Sequence, residues 1–315
     1  MKITDLIKGK GTDFSFEVLP PKKGEGIDGL EQTVETLLKY APKYINITTH
    51  HSEPVYRRRP DGLIEMEMVR RRPGTVAVAA ALQYKYDIPV VPHILCNGFT
   101  KEETEYVLLD LQFLKIENLL LLRGDKVQEG SVEQGGKGHE HTTDLQKQVN
   151  DFNHGTFADG SPIPSPGVPF SYGVACYPEK HDESPNLATD ISWLKRKVEL
   201  GADYAVTQMF FDNQKYFDFV ELVRKAGIDI PIIPGIKPLM SQKQLTSIPR
   251  SFHCDLPEEL TAAMMAAHDK EEQFEVGVEW AARQCKELMA HGVPSIHFYT
   301  TGRARSVDAV ASRIF

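Results

Sequence analysis

Eight short apolar segments recur along the chain, and most are followed by a polar turn and a stretch with helical spacing. Their composition is almost continuously apolar, as in strands covered on both faces, without the alternation of a half-exposed sheet. Parallel strands need long crossovers, so this order predicts an α/β protein with a (β/α)8 TIM barrel. The predicted strands are residues 14–20, 44–49, 90–96, 118–124, 171–177, 204–211, 232–238 and 295–300.

An open, doubly wound sheet is the structural alternative. A dinucleotide-binding sheet of that kind carries Gly-x-Gly-x-x-Gly after its first strand, whereas FEVLPPKKGEG stands here, so the barrel is favoured. We predict one domain over residues 1–315, with an enlarged Gly/Ser/Pro-rich loop at about 126–170. The predicted crossover helices are 29–41, 73–86, 100–112, 190–202, 214–227 and 274–292.

The charge and the distribution of apolar residues argue against nucleic acid and membrane as partners. With 36 Lys and Arg against 44 Asp and Glu, the net charge is −8, which does not favour nucleic-acid binding. The arginines at 57–59 and 70–72 are interpreted as a solvated face around a predicted helix. The N-terminal segment lacks the apolar core of a signal peptide, and no segment approaches the ~20 apolar residues of a membrane span. We therefore expect a cytoplasmic protein without a membrane partner.

The four cysteines, Cys96, Cys176, Cys254 and Cys285, are scattered without CxxC spacing. This pattern predicts reduced thiols in the core. Histidines occur at 50, 51 and 139, but no further ligands follow at recognisable spacing, so no metal centre is predicted.

Polar side chains lie at the ends of the predicted strands, where the loops of a barrel converge. Glu17 stands inside an otherwise apolar strand, where desolvation should raise its pKa and suit it to general acid catalysis. The alternative for Glu17 is an interior ion pair with Arg or Lys. The other strand-end groups are Thr48, Thr49, His93, Arg123, Gly124, Asp125, Tyr177, His181, Gln208, Lys237, His297, Tyr299 and Arg303.

Several of these groups allow two interpretations. His93 could be a satisfied core histidine or a ligand-binding group. Arg196 and Lys197 could meet phosphates or form a solvated basic face of a helix. The QMFFD segment is interpreted mainly as core, except Gln208, whose amide could pair with a heterocycle.

The ordered set FSFEVLPP, INITTHHS, PHILC, LLLRGD, ACYPEKH, LKRKVELGADYAVTQMFFD, PGIKP and IHFYTTGRA closely resembles the methylenetetrahydrofolate reductase family. The resemblance extends from about residue 13 to the C-terminus. It implies a (β/α)8 barrel that holds FAD at the carboxyl ends of its strands. It also implies a ping-pong reaction in which NADH or NADPH reduces FAD, and the reduced flavin then reduces 5,10-methylenetetrahydrofolate to the 5-methyl form used for methionine synthesis.

The resemblance also assigns roles to residues. It implies that Glu17 is the general acid that protonates folate N10, and that Asp125 tunes the flavin and favours the iminium cation. FAD would be bound by Thr48, Thr49, His93, Leu122, Arg123, Gly124, Asp125, His141, Thr142, Tyr177, His181, Asp190, Trp193, Arg196 and Lys197. Folate or the nicotinamide nucleotide would be bound by Gln208, Gln244, Tyr299 and Arg303.

Three positions depart from the family pattern. His141 replaces the usual tyrosine, Trp193 replaces a small amide beside the adenosine, and Ile248 replaces a mobile aromatic of some members. The chain ends soon after the eighth strand, so inhibition by S-adenosylmethionine is not expected, and the resemblance implies a homo-oligomer. Two other functions remain open: an imine-forming aldolase that uses Lys237, with residues 300–303 as a phosphate-binding turn, and a non-catalytic protein that binds folate or a partner.

Overall fold

The computed structural model describes residues 1–9, 11–50, 52–124 and 138–315. The strands are β1 (Asp13–Val18), β2 (Ile45–Ile47), β3 (Glu53–Arg58), β4 (Ile64–Val69), β5 (Val90–Leu95), β6 (Asn118–Leu122), β7 (Ser171–Cys176), β8 (Tyr204–Thr207), β9 (Ile232–Ile233), β10 (Gly235–Ile236) and β11 (Ser295–Tyr299). The helices are α1 (Ile3–Leu6), α2 (Asp28–Leu37), α3 (Thr75–Tyr86), α4 (Lys101–Phe113), α5 (Thr142–Asn153), α6 (Leu187–Glu199), α7 (Asn213–Lys225), α8 (Gln244–Phe252), α9 (Glu258–Ala266), α10 (Lys270–Ala290) and α11 (Arg305–Ala311), with a 3-10 turn at Leu38–Tyr40.

A ring of parallel strands confirms the predicted (β/α)8 barrel. The strand order is β10-β11-β1-β2-β5-β6-β7-β8-β9, and β9 and β10 are two halves of one strand on either side of Pro234. Proline has no N–H for the ladder, which explains the interruption. The neighbouring strands compensate, since His297 donates its backbone N–H to Pro234 O (2.9 Å) and Gly235 donates to Thr207 Oγ1 (2.9 Å). Each of the eight predicted strands overlaps an observed one, and the segment 232–238 contains both β9 and β10.

The amino-terminal end of the barrel is filled by α1 and the residue that follows it. Ile3 and Ile7 are buried in one cluster with the interior side chains of Leu120, Tyr204 and Ile233. The Ile3 backbone N–H donates to Asn118 Oδ1 (3.1 Å), which holds the helix at this end. Loops at the opposite, carboxyl end of the strands therefore form the mouth of the barrel.

A β-hairpin stands where the sequence predicted a helix around Arg57–Arg59 and Arg70–Arg72, so that prediction is wrong. Strands β3 and β4 pair antiparallel around the Pro60-Asp61-Gly62 turn, in which Gly62 has φ +84°. This left-handed conformation favours glycine, and Asp-Gly is a hairpin signal. Arg57–Arg59, Arg70 and Arg71 are exposed, as expected of a solvated surface, whereas Arg72 is half-buried and donates to Pro20 O. Arg57 lies 3.4 Å from Glu67 on the facing strand.

The predicted loop at 126–170 contains a helix. Residues 125–137 lie outside the described residues, but α5 follows and packs on α6, where Gln146 Nε2 donates to Lys197 O (2.8 Å) and Asn150 Nδ2 to Leu200 O (2.7 Å). Helices α8 and α9 were not predicted either. The former contains Pro249, which argues against a helix in a sequence-based assignment.

All four cysteines are buried and free, as predicted. No helix in the described ranges is both long enough and apolar enough to cross a membrane.

Candidate active site at the barrel mouth

Glu17 lies near the carboxyl end of β1, paired in register with Asn46 on β2 and Tyr299 on β11. The residue is half-buried, and its carboxylate accepts no hydrogen bond from any described residue. Burial raises the pKa of Glu17 to about 7, although the positive charge of Lys237 opposes the rise. A carboxyl group in this environment holds a proton near neutral pH, as a general acid must. No Arg or Lys among the described residues forms a direct ion pair with Glu17, although the positive charge of Lys237 acts on its carboxyl group.

Lys237 follows β10 and is buried, with only 8% of its surface exposed. Its ammonium donates to Thr301 Oγ1 (3.3 Å) in the turn after β11. Burial lowers the pKa of Lys237, and the Glu17 carboxylate partly restores it. In the same turn, Thr300 Oγ1 donates to the Glu17 backbone carbonyl (2.7 Å), so this turn contacts both residues.

His93 is buried in β5 beside polar atoms of β2. Its Nε2 lies 3.2 Å from Asn46 Nδ2, and burial, with the positive charge of His50, lowers the pKa of His93 to about 3. The imidazole is therefore neutral at neutral pH, and Nε2 accepts from the amide. Thr49 Oγ1 donates to His93 O, whereas Thr48 Oγ1 and Asn46 Oδ1 have no partner in the described part of the chain.

The turn after β6 combines a cation with a glycine. Arg123 is paired through Nη1 with Glu183, while its Nε is buried without a partner among the described residues. Gly124 has φ +87°, a left-handed conformation, and a Cβ there would meet Leu95 Cδ1 at 3.4 Å. Leu122 is half-buried at the end of β6. Asp125, the second predicted catalytic residue, lies outside the described residues.

The loop after β7 and the start of α6 bring together Tyr177, His181 and Asp190. The rings of Tyr177 and His181 meet edge to face at 4.8 Å between centroids. Asp190 accepts from Ser184 Oγ (3.0 Å) and from the His181 backbone N–H (3.2 Å), which fixes the loop on the helix.

The two cations predicted for phosphate have different surroundings. Lys197 is half-buried on α6, donates from Nζ to Ala175 O (3.1 Å), and has a pKa that burial lowers. Arg196 is exposed and lies 3.4 Å from Glu199. Adjacent residues of a helix point about 100° apart. One anion can therefore contact both Arg196 and Lys197 only where it lies between their two directions on α6.

Two of the unusual positions are in contact with each other. His141, the residue before α5, stacks on Trp193 of α6, with 6.3 Å between ring centroids and 28° between planes. The third, Ile248, is buried in a cluster that includes Met209 and Phe211. Thr142 is buried at the start of α5.

The predicted substrate residues lie after β8, in α8 and after β11. Tyr299 donates from its hydroxyl to Thr207 O (2.6 Å). The amide oxygens of Gln208 and Gln244 accept from the backbone N–H groups of Met209 (2.9 Å) and Met240 (2.5 Å). Their Nε2 groups have no hydrogen-bond partner among the described residues, and Arg303 is exposed.

A cavity of about 350 Å³ extends from Thr49 and His93 outward between α3 and α4. It is bordered on the outside by Arg70 and Arg72, beyond the hairpin, and by Tyr106 of α4. In the described ranges, no three His, Cys, Asp or Glu side chains are grouped to bind a metal ion.

Sequence reasoning missed Asn46 and Glu183 at the mouth, and it considered Thr301 only within the phosphate-binding turn of the aldolase alternative. Asn46 has a recognisable signal, because an amide inside the buried strand β2 is as unusual as Glu17 in β1. Glu183 and Thr301 lie in turns, and only the folded chain shows that they bind Arg123 and Lys237.

Fold and site together define a (β/α)8-barrel protein whose mouth holds a half-buried acid and several polar atoms that have no partner among the described residues. The family model described as methylenetetrahydrofolate reductase matches residues 2–314, so the chain belongs to this family. It is similar to "Methylenetetrahydrofolate reductase (NADH) 1" of Arabidopsis thaliana, with 31% identity over 98% of this chain and 50% of the relative.

Shorter bacterial relatives match over most of their own length. The chain is 29% identical to "5,10-methylenetetrahydrofolate reductase" of Escherichia coli, covering 95% of this chain and 89% of the relative. By contrast, it spans about half the length of the plant and yeast relatives. A solved structure of an uncharacterized protein from Clostridium thermocellum, described as binding two copies of 5-methyl-5,6,7,8-tetrahydrofolic acid, has a TM-score of 0.59 at 14% identity and covers 100% of this chain and 98% of its own. That likeness shows the fold alone.

Proposed function

We propose that this chain reduces 5,10-methylenetetrahydrofolate to 5-methyltetrahydrofolate, with electrons that pass from NADH or NADPH through FAD. The observation that carries the proposal is Glu17, a carboxyl group with a pKa near 7 and no hydrogen-bond partner among the described residues, at the mouth of a barrel of this family. Named relatives include NADH and NADPH enzymes, so both nucleotides are candidate donors.

The residues on the β2, β5 and β6 side of the mouth fit FAD. The Thr48 hydroxyl and Arg123 Nε are buried without partners in the described ranges, and neutral His93 stands beside them. Buried polar atoms of this kind are costly unless a ligand pairs with them, and an isoalloxazine ring offers both donors and acceptors. Thr49, Leu122 and Gly124 would line the same side, with Asp125 next in the chain.

The groups on α5 and α6 would hold the adenosine and pyrophosphate end. Tyr177 would border the ribityl chain of FAD and His181 its adenosine and pyrophosphate end. Lys197 would contribute positive charge near the phosphates. When bound, FAD would supply the hydride carrier between nicotinamide and folate.

Glu17 would act on the folate itself. Its O–H bond breaks and the proton goes to N10, which opens the five-membered ring to a 5-iminium cation that accepts hydride. A carboxyl group that is protonated near neutral pH can carry out this step. Gln208, Gln244, Tyr299 and Arg303 would orient the folate or the nicotinamide nucleotide. Asp125 would favour the iminium cation by its negative charge.

Anaerobic spectroscopy tests the proposal. The purified, FAD-loaded protein should bleach with NADH or NADPH and recover its yellow colour with methylenetetrahydrofolate. Glu17→Gln should keep the bleaching step and lose recovery by about a hundredfold or more. A protein that does not bind FAD would overturn the proposal, and recovery at the wild-type rate in Glu17→Gln would overturn the role of Glu17.

Family membership favours this reaction over the imine-forming aldolase. For that alternative, borohydride trapping of a carbonyl substrate on Lys237 is the direct test. We also propose that residues 1–315 act as one catalytic domain, with α5 and the turns around it as part of the cofactor side.

A further inference from the structure

The Lys237 ammonium is a buried charge with little to balance it. Ammonium groups carry three donors, and Nζ of Lys237 has one acceptor among the described residues, Thr301 Oγ1 at 3.3 Å. A buried charge is costly unless an opposite charge lies near it. The carboxylate that acts on Lys237 is Glu17, although the two groups are too far apart for a direct ion pair.

The backbone fixes this arrangement from three strands. Glu17 lies on β1, Tyr299 is its partner on β11, and Lys237 follows β10 on the far side of β11. The turn after β11 holds both ends, because Thr300 Oγ1 donates to Glu17 O and Thr301 Oγ1 accepts from Lys237.

The other groups around Glu17 do not supply a charge at neutral pH. Tyr299 on β11 has a pKa raised far above its usual value, first by burial and then by the Glu17 carboxylate. His297 on β11 and His93 on β5 have pKa values near 3 and are neutral. The adjacent position on β2 is Asn46, which does not titrate. Among the described residues, Lys237 therefore supplies the charge that acts on Glu17.

We propose that Lys237 is a positioning residue for the proton transfer, in which its ammonium, held by Thr301 in the turn that also binds the Glu17 backbone, stabilises the carboxylate that forms. The inference rests on the proposed function for its consequence in the reaction. When the Glu17 O–H bond breaks and the proton moves to folate N10, a negative charge appears on Glu17, and the charge on Lys237 lowers the free energy of that product. Lys237 thus makes Glu17 a stronger acid and limits the pH range in which it stays protonated.

The test compares variants that remove the charge in different ways. Lys237→Gln keeps a donor for Thr301, whereas Lys237→Met removes it, and both variants are neutral. Lys237→Arg keeps the charge. The control is Lys225→Met on the exposed face of α7, where Lys225 pairs with Glu221. If one neutral variant fails to fold, the other still decides the question.

Infrared titration of the flavin-loaded protein reads Glu17 directly. The carboxylic-acid carbonyl band that Glu17→Gln removes reports its protonation. In both neutral variants the titration midpoint of Glu17 should rise by about one pH unit. The reason is that these variants lack the positive charge of Lys237, which lowers the pKa of the neighbouring acid. Lys237→Arg and Lys225→Met should titrate like the wild type. An unchanged or lower midpoint in the neutral variants would overturn the inference.

A kinetic measurement extends the test to the reaction. Recovery of flavin colour with methylenetetrahydrofolate should persist to higher pH in the neutral variants, by the same interval as the infrared shift. Bleaching by NADH or NADPH should keep its wild-type pH profile. If wild-type protein does not react with the folate, the proposed function fails, whereas the infrared midpoints still decide the role of Lys237.

Discussion

The His141 imidazole and the Trp193 indole stack at the junction of α5 and α6, with 6.3 Å between their centroids. Trp193 is 49% exposed, so the pair leaves a large aromatic surface open to solvent. An exposed indole face offers a stacking surface to a flat heterocycle such as adenine. Both residues stand at positions where the resemblance implied a different side chain, and the two positions are in contact.

The first prediction follows from this contact. FAD should quench the fluorescence of Trp193, because its adenosine end would lie against the indole. The chain contains two tryptophans, and Trp280 is on α10, where its Nε1 donates to Phe211 O (3.0 Å). Titration of Trp280→Phe should retain the quenching, and Trp193→Phe should lose most of it. Equal quenching in both variants would place the adenosine elsewhere.

A second prediction concerns the affinity for FAD. Arg123→Ala should weaken FAD binding by about tenfold or more, which corresponds to about 1.4 kcal/mol. The variant removes the buried Nε donor and also leaves Glu183 without this cation. Equilibrium dialysis of the apoprotein measures the effect. Arg196→Ala, on the exposed face of α6, should change the affinity less, and the reverse order would contradict the placement of the cofactor.

The third prediction is a pH dependence of stability. The pKa of Glu17 is about 7 in the folded chain against 4.5 without the fold, so folding favours the protonated form. Below pH 4.5 the group is protonated in both states and has no effect. Between pH 4.5 and 7 the unfolded state loses its proton first, and the folded state is destabilised by up to about 3 kcal/mol.

Glu17→Gln should therefore be more stable than wild type at pH 8, by about 3 kcal/mol at most, and nearly equal at pH 4.5. Urea unfolding at the two pH values gives this comparison. A higher free energy of unfolding in the variant would show that Glu17 destabilises the folded protein at pH 8, as catalytic groups at many active sites do. A variant that is less stable at pH 8 would mean that the carboxylate is favourably paired in solution.

A fourth prediction addresses the packing that supports the mouth. Gly277 of α10 lies against the backbone of Leu239, so that a Cβ there would fall 1.5 Å from Leu239 O. Gly277→Ala should destabilise the fold by about 3 kcal/mol, because helix and backbone must separate. Gly29→Ala in α2, where a Cβ meets nothing within 4 Å, should be neutral or stabilise by about 0.5 kcal/mol. Thermal unfolding of both variants distinguishes a steric effect from a general preference for alanine.

The barrel was predictable because its strands are buried on both faces and therefore almost continuously apolar. The β3–β4 hairpin was not, since its strands are exposed and rich in Arg, Glu and Met, a composition that also suits helices. Helix α8 has a proline at 249, which opposes a helix assignment from sequence.

The candidate site likewise has a part that the sequence predicts and a part that only the folded structure shows. Glu17 was identifiable as a polar group in an apolar strand, and its raised pKa confirms the expected effect of burial. The ammonium that acts on it is 220 positions away in sequence, and only closure of the barrel brings β11 beside β1 and β10 beside β11. The sequence predicted that strand-end side chains gather at the mouth, but it did not identify Lys237 as the cation that acts on Glu17.

Ile3 and Ile7 fill the far end of the barrel, beneath the layer of Tyr204 and Leu120. We therefore expect no ligand to reach Glu17 through this end of the barrel. If the nucleotide and the folate use one flavin face, as proposed, they would have to enter at the mouth and bind one after the other. Ile3 and Ile7 would also exclude water from the barrel interior on the amino-terminal side of Glu17. Residues far from every ligand would thereby help to keep the reaction site free of bulk water.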